Sequence, residues 1–360
     1  MSANDSKRIL VFGATGAQGL AVIDALLAPS DDGSPSPYTI RAFTRDINSR
    51  RSLELTARGV ECVQGNTDDE LSILAALRNV YGVWTNLDSF ALGQQKEIYT
   101  GIRIFELAKQ VRTVRHYVWS GLDYAFKKGN YNPAYNCDHL NGKAKVTDWM
   151  RAQPSNPTDN DMSWSVVTTT PYMDTLKIHM FGPVNRRADG TFVFATPARN
   201  ARIPMIALSD LGYFARYTFD HRQETSGQEL ETVSDMVSCD HLVSTFTKVT
   251  GQKAVVLHQT MDEWMANLVN VDRPLVNGLA QDSSLGHGIT WRQNFTAFWA
   301  LFRDGIVQRD LDWLRSIHPK IHTLESWMRE TNYNGELEVL LKDQEDHTIL
   351  KFNSDRVAQL

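Results

Sequence analysis

The sequence is poor in cysteine and lacks long apolar runs. Its 360 residues include only three cysteines, Cys62, Cys137 and Cys239, which are too few and too scattered for a disulfide framework or a zinc cluster. No stretch approaches the roughly 20 apolar residues of a membrane-spanning helix, and the opening MSANDSKRIL lacks the apolar centre of a signal peptide. These absences predict a soluble protein of a reducing compartment, cytoplasmic or nuclear, with no membrane segment.

The chain has no excess of basic charge either. It carries 37 Lys and Arg against 42 Asp and Glu, a formal net charge of −5, and the two signs are interspersed. Without a positive field, a protein has little attraction for a phosphate polymer or an anionic membrane. We therefore expect no direct contact with nucleic acid, and neither composition nor charge indicates the oligomeric state.

Strand-length apolar runs alternate with helical-period stretches over the first 170 residues. This alternation predicts an α/β fold, a doubly wound parallel sheet with helices on both faces. The predicted strands are Arg8–Phe12, Tyr38–Phe43, Val60–Gln64, Gly82–Thr85, Tyr117–Trp119 and Trp164–Thr168. The predicted helices between them are Leu20–Leu27, Ser52–Arg58, Leu71–Leu77 and Glu97–Lys109.

The pattern loosens after about residue 175, where helical stretches rich in tryptophan follow. We predict a smaller, largely helical second domain, because tryptophans at such spacing usually belong to a core. The predicted domains are 1–170, 171–335 and a charged tail element at 336–360, with some segments of the second domain returning to the sheet. The Pro- and Ser-rich stretch 28–37 (APSDDGSPSP) reads as an exposed, inserted loop.

A glycine-rich turn follows the first predicted strand directly. Gly13, Gly16 and Gly19 have the spacing GxxGxxG, and a helical stretch begins immediately after them. Such glycines permit a sharp turn, close approach of backbone to a pyrophosphate and close packing of helix on strand, while the helix N-terminus faces the phosphates. The context predicts a dinucleotide site. Its residues are Gly13, Ala14, Thr15, Gly16, Ala17, Gln18 and Gly19.

The end of the second predicted strand bears on the choice of cofactor. An acidic residue there binds the ribose 2′-hydroxyl of NAD, whereas a basic residue accepts the 2′-phosphate of NADP. Arg45 occupies this place, with Arg50 and Arg51 behind it, while Asp46 next to it is an argument for NAD. The sequence favours NADP(H), because a guanidinium fits a phosphate in bidentate fashion.

Several segments together resemble the NmrA-like family, atypical members of the short-chain dehydrogenase/reductase superfamily. They are GATGAQG, TRD, VECVQGNTDD, HYVWSGL, HLNGK and TLESWM, spread from about residue 7 to residue 330. Within the family, the chain is most similar to the NADP-sensing NmrA-like proteins. The resemblance implies a Rossmann domain, a smaller C-terminal domain, and NADP(H) along the strand ends.

The resemblance also implies further cofactor-binding residues. They are Thr85 and Asn86 after the fourth strand, Lys143, and Pro171, Tyr172, Met173 and Asp174 after the sixth. Asn66 departs from the family, which often has Asp near the adenine, although an amide still forms hydrogen bonds.

Ordinary members of the superfamily use a Ser, a Tyr and a Lys four residues after the Tyr. Tyr124 and Lys128 have this spacing but follow Ser120 too closely to face it from the next helix. His139 and Lys143 are the better match, because residues i and i+4 share one helical face. We predict Ser120, His139 and Lys143 as the catalytic residues, and Tyr135 joins the same face if the helix begins early enough.

Two functions remain open at this stage. A reductase of a small carbonyl or conjugated compound is possible, since histidine can donate a proton and the cofactor carries the hydride. The alternative is a redox-sensing regulator that binds NADP(H) without turnover and contacts a protein partner. For His139 a structural role as a hydrogen-bonded helix residue is equally open. We predict no nucleophilic role for Cys137 and no metal site that includes His116 or His139.

Overall fold

The computed structural model describes residues 6–30, 32–158, 160–276, 288–341 and 351–360. Its strands are β1 (Lys7–Phe12), β2 (Tyr38–Thr44), β3 (Glu61–Gln64), β4 (Gly82–Thr85), β5 (His116–Leu122), β6 (Ser163–Thr169), β7 (Asn185–Arg186), β8 (Phe192–Thr196), β9 (Ile203–Met205), β10 (Gln228–Glu231), β11 (Asp235–Val237) and β12 (Ala254–His258). Residue 31 of the predicted loop at 28–37 and residues 342–350 of the predicted tail lie outside the described residues.

The helices of the described residues are α1 (Ala17–Leu27), α2 (Arg50–Ala57), α3 (Glu70–Leu77), α4 (Ser89–Gln110), α5 (Ala125–Lys128), α6 (Asp138–Arg151), α7 (Leu208–Asp220), α8 (Arg222–Thr225), α9 (Cys239–Thr250), α10 (Met261–Ala266), α11 (Trp291–Arg303), α12 (Leu311–Ile317), α13 (Leu324–Glu330) and α14 (Ser354–Val357). Within the described part of the chain, none of them is long and apolar enough to cross a membrane.

The chain divides into two compact units. The first contains residues 1–122, 142–169 and 211–231, and the second contains residues 123–141, 170–210 and 232–360. Both units are discontinuous, because the chain passes between them more than once. The domain boundaries predicted at residues 170 and 335 stay predictions.

The first unit is built on a seven-stranded sheet with the order β10-β6-β5-β4-β1-β2-β3. All neighbouring strands in it are parallel; Val11, for example, pairs with Ala42 on one side and Trp84 on the other. Helices connect the strands, which confirms the predicted doubly wound α/β class. Strand β1 is buried from Ile9 to Phe12, as a central parallel strand covered on both faces must be.

The second unit combines helices with two small sheets. One sheet has the order β12-β8-β7 and the other pairs β11 with β9. Aromatic side chains fill its core; Trp264 and Trp299, for example, are both buried and their rings meet edge to face with centroids 5.3 Å apart. The C-terminal residues pack on this unit, where Phe352 forms an antiparallel bridge with Leu268.

Candidate cofactor and active site

The glycine turn joins the end of β1 to the start of α1. Gly13 has a φ of +73°, and a Cβ there would lie 2.6 Å from the carbonyl oxygen of Asn86. A Cβ on Gly19 would lie 2.2 Å from the carbonyl oxygen of Gly13, so the helix packs against the turn at a distance that leaves no room for a side chain. Both positions therefore need glycine: Gly13 for the sharp turn and Gly19 for the close packing of helix on turn, two of the three uses that the sequence predicts.

Helix α1 begins without a side-chain cap. Its N-cap is Gly16, which offers no side-chain oxygen to the first amides, whereas α2, α3 and α4 are capped by Ser49, Asp69 and Asp88. The first four N–H groups of a helix lack partners within the helix and carry partial positive charge. Together with the space that the glycines leave, this N-terminus fits the diphosphate of a dinucleotide.

The two arginines near the start of α2 have different surroundings. Arg51 is buried, and its Nη1 donates to the carbonyl oxygen of Thr15 at 2.9 Å, so it holds the glycine turn. Arg50 is exposed and pairs with Glu54 at 2.6 Å on the helix surface. The role of Arg51 was missed in the sequence, because nothing in a run of two arginines tells which one is buried.

Arg45 lies exposed directly after β2, where the sequence predicts it. The acidic neighbour Asp46 is used locally: its Oδ1 accepts the backbone N–H of Asn48 at 2.8 Å. Its carbonyl oxygen accepts bonds from the hydroxyls of Ser49 and Ser52, at 3.0 and 2.7 Å. These bonds hold the loop after β2 in place. The carboxylate of Asp46, the group that would favour NAD, thus already accepts a hydrogen bond within the loop.

Asn86 links the glycine turn to Lys143. Its carbonyl oxygen lies against Gly13, and its Oδ1 accepts a hydrogen bond from Lys143 Nζ at 3.1 Å. Lys143 Nζ also donates to the carbonyl oxygen of Leu87 at 2.7 Å and pairs with Glu97 Oε1 at 2.9 Å. The structure thus brings Lys143, Asn86 and the glycine turn together at the carboxyl end of β4.

Two other predicted residues of the first unit lie on the same sheet. Thr85 ends β4 and is fully buried. Ser120 on β5 is 1% exposed, and its hydroxyl has no hydrogen-bond partner among the described residues. A buried hydroxyl without a partner is costly, and a ligand or a bound water would satisfy it.

His139 stands in the first turn of α6 and has its contacts in the second unit. Its Nδ1 lies 2.8 Å from Asn294 Nδ2, and its ring packs against Phe295 and Phe298 at centroid distances of 5.7 and 5.6 Å. Lys143, one turn later, has its partners in the first unit. Tyr135 does not extend the helix: it lies in a separate 3-10 turn and its hydroxyl donates to Asp304 at 3.0 Å.

Cys137 has a base near it that the spacing does not reveal. Its Sγ lies 3.2 Å from His139 Nδ1. Burial raises the pKa of the Cys137 thiol well above its usual value, and Asn294 already donates to the same nitrogen. The side chain is therefore a buried thiol and not a nucleophilic thiolate.

Tyr124 and Lys128, the pair with the spacing YxxxK, have structural roles. Lys128 Nζ pairs with Asp123 at 2.7 Å, and Arg309 pairs with the same carboxylate at 2.7 Å. Burial raises the pKa of Asp123, but the two cations outweigh it and hold the pKa below its ordinary value. Tyr124 stands at the N-cap of the short helix α5.

The segment after β6 is tied to its neighbours in the second unit by its backbone. Met173 N–H donates to Ile206, whose own N–H donates to the carbonyl oxygen of Pro171. The carboxylate of Asp174 accepts the N–H of Leu208, the first residue of α7, at 3.1 Å. Burial raises the pKa of Asp174. The structure thus gives Asp174 a capping role, and its predicted cofactor contact stays a prediction.

Among the described residues, no group of three or more His, Cys, Asp or Glu side chains is arranged to hold a metal ion. The NmrA-like family model matches residues 5–314, which is most of the chain. The chain belongs to the NmrA-like family.

A relative from a fungus agrees with this membership. The chain is 28% identical over 276 residues to the NmrA-like family domain-containing oxidoreductase hkm9 of Aspergillus hancockii, covering 72% of this chain and 76% of the relative.

Solved structures show the same fold. The negative transcriptional regulator NmrA in complex with NADP matches with a TM-score of 0.66 at 17% identity, covering 96% of this chain and 99% of that one. The NADPH-dependent quinone oxidoreductase QOR2 of Escherichia coli, complexed with NADPH, matches with a TM-score of 0.64 at 16% identity, covering 90% and 99%.

Proposed function

We propose that this NmrA-like protein is an NADP(H)-dependent oxidoreductase that reduces a small carbonyl or conjugated compound. The observation that carries the proposal is the position of Lys143, held through Asn86 beside the glycine turn and the uncapped N-terminus of α1. A dinucleotide whose diphosphate meets α1 has its ribose and nicotinamide beyond the ends of neighbouring strands. The cofactor, when bound, supplies the hydride.

The remaining roles follow from the surroundings of each side chain. Arg45, exposed after β2, meets the 2′-phosphate, and Lys143 meets the ribose of the nicotinamide. Ser120 offers the substrate oxygen its hydroxyl, which has no hydrogen-bond partner in the described part of the chain. With Asn294 Nδ2 donating to Nδ1 of His139, the neutral ring carries its proton on Nε2, and this N–H polarises the substrate oxygen by a hydrogen bond while solvent supplies the proton.

Turnover tests the enzymatic part of the proposal. Purified protein with NADPH is assayed against a panel of quinones, enones and aldehydes by loss of NADPH absorbance. We expect at least one panel member to be reduced. The His139→Asn variant keeps an acceptor near the position of Nδ1 for Asn294 but removes the Nε2 donor; it should keep its NADPH affinity within about twofold and lose about 10²- to 10³-fold in kcat, since one hydrogen-bond donor to a developing oxyanion contributes about that much.

The same experiment distinguishes the reductase from the alternative, a regulatory protein that binds NADP(H) without turnover. If NADPH binds and no panel member is reduced, the reductase proposal fails and a cofactor-sensing protein is the better description. If His139→Asn is as active as the unaltered protein, Ser120 polarises the substrate oxygen without His139, and His139 has the structural role of a hydrogen-bonded helix residue.

A further inference from the structure

Glu97 is a buried acid that the proposed function does not yet use. It lies on α4, one turn after Gly93, whose φ of +73° interrupts the helix, and its side chain is 0% exposed. Its Oε1 accepts the hydroxyl of Ser89 at 3.0 Å and pairs with Lys143 Nζ at 2.9 Å. A carboxylate is seldom buried to this degree without a role for its charge.

Lys143 has all of its donors engaged around this carboxylate. An ammonium has three N–H groups, and here they go to Asn86 Oδ1, the carbonyl oxygen of Leu87 and Glu97 Oε1. The side chain is only 7% exposed, and Nζ lies 5.3 Å from the centre of the Trp119 ring. Its position is therefore set by the protein before any ligand arrives.

The glycine of the HLNGK segment makes room for the acid. A Cβ on Gly142 would lie 2.7 Å from Glu97 Oε2, closer than side chains approach each other. This Oε2 is buried and has no hydrogen-bond partner among the described residues. Because Gly142 has no side chain, the carboxylate of Glu97 has the space that it needs to contact Lys143.

In the ion pair of Glu97 with Lys143, few groups stabilise the negative charge of Glu97. Burial raises the pKa of Glu97, and only the nearby Lys143 and the hydroxyl of Ser89 act against this rise. The carboxylate consequently depends on Lys143 for its ionised form, and the ammonium has Glu97 as its ionic partner. Removal of either charge leaves the other buried and uncompensated.

We propose that Glu97 is the positioning residue of the cofactor site: it anchors Lys143 so that one ammonium donor, now on Asn86, is available to a ribose hydroxyl of the nicotinamide nucleotide. The bond to Asn86 is the longest of the three, and Asn86 itself borders the glycine turn. The inference rests on the proposed function, because it assumes that the cofactor lies against Lys143.

A double-mutant cycle on NADPH binding tests this inference. The dissociation constant is measured by titration calorimetry for the unaltered protein, Glu97→Gln, Lys143→Met and the double variant, with thermal unfolding as the check of folding. If Glu97 acts through Lys143, Glu97→Gln weakens NADPH binding about tenfold, as expected for a lost charged hydrogen bond. In the Lys143→Met background the same change should alter it less than about twofold, because the anchored group is gone.

The control is Glu106→Gln, the same substitution on the same helix at a partly exposed position, which should leave the dissociation constant unchanged. Equal losses in both backgrounds would assign Glu97 a general structural role and overturn the inference. No loss in the Glu97→Gln variant would overturn it as well. If the unaltered protein does not bind NADPH, the proposed function itself fails, which is a distinguishable result.

A second variant covers the case in which Glu97→Gln does not fold. Glu97→Asp keeps the negative charge but withdraws the carboxylate from Lys143 by about one carbon–carbon bond, ~1.5 Å. It takes the place of Glu97→Gln in the same cycle. We expect a loss of NADPH affinity that depends on Lys143, and an unchanged affinity would contradict the inference.

Discussion

At the scale of single residues, the arginines near the end of β2 have three different surroundings. Of the three arginines at and after the end of β2, Arg51 is buried on the glycine turn and Arg50 pairs with Glu54. Arg45 is exposed, and the carboxylate of the adjacent Asp46 is bonded within its own loop. Arg45 is therefore the side chain that we expect to meet a 2′-phosphate.

The Arg45→Ala variant tests that expectation. NADPH binding should weaken by about 1–3 kcal/mol, the size of a charged hydrogen bond to phosphate, while NADH binding barely changes. Calorimetric titration with both cofactors measures the difference. Arg50→Ala is the matched control, because it removes the same charge from a surface ion pair five residues away. An equal loss for NADPH and NADH after Arg45→Ala would contradict the assignment.

At the scale of elements, the segment around His322 is fastened to α7 by charge. His322 Nδ1 and backbone N–H both bond the carboxylate of Asp210, at 2.8 and 3.0 Å, and His318 Nε2 contacts it at 3.1 Å. The bond of Nδ1 to Asp210, with burial acting against it, and the contact of Nε2 with Glu330 at 3.0 Å raise the pKa of His322 to about 9. Asp210 is buried, and the hydrogen bonds outweigh that burial and hold its pKa below the usual value.

Stability should follow the titration of His322. A histidine whose pKa rises on folding stabilises the folded state fully below its unfolded pKa of 6.5, and the contribution is lost as pH rises through about 9. The His322→Gln variant should therefore lose about 1.5–3 kcal/mol of unfolding free energy near pH 6. The difference from the unaltered protein should shrink towards pH 9.

Denaturant unfolding at a series of pH values measures this difference. The exposed His258, at the end of β12, provides the control, since His258→Gln should give a small difference that does not vary over the same range. A His322→Gln difference that stays constant from pH 6 to pH 9.5 would show that the charge of His322 plays no part in holding this segment.

Local pattern predicted the elements of the first unit well. The predicted strand Gly82–Thr85 is observed with the same bounds, and the predicted helix Leu71–Leu77 begins one residue earlier. Helix α4 was predicted from Glu97 but begins at Ser89. The first turns of α4 were not recognised in the sequence, because Gly93, with its positive φ, interrupts the helical period.

The candidate site was predicted only in part. The glycine turn and Lys143 follow from motifs, which are local in sequence. Glu97 and Arg51 were missed, because their roles depend on partners 46 and 36 residues away, at Lys143 and Thr15. Burial of a charge is a property of the packed chain, and the single hint of it in the sequence is Gly142 beside Lys143.

At the scale of the whole molecule, the sheet and its connections place the glycine turn, Asn86 and Lys143 at one end of neighbouring strands. Parallel sheets of this kind bind ligands outside the carboxyl ends of their strands. Membership of the NmrA-like family and the chemistry of these side chains support one central claim, that the chain is an NADP(H)-binding protein.

The most direct test of that claim is calorimetric titration of the unaltered protein with NADPH and NADH under the same conditions. We expect a single NADPH site per chain and an affinity for NADH at least about tenfold weaker, the ratio that one lost charged contact to phosphate produces. Binding of neither cofactor would mean that the three glycines only turn the chain, and equal binding of both would contradict the preference assigned to Arg45.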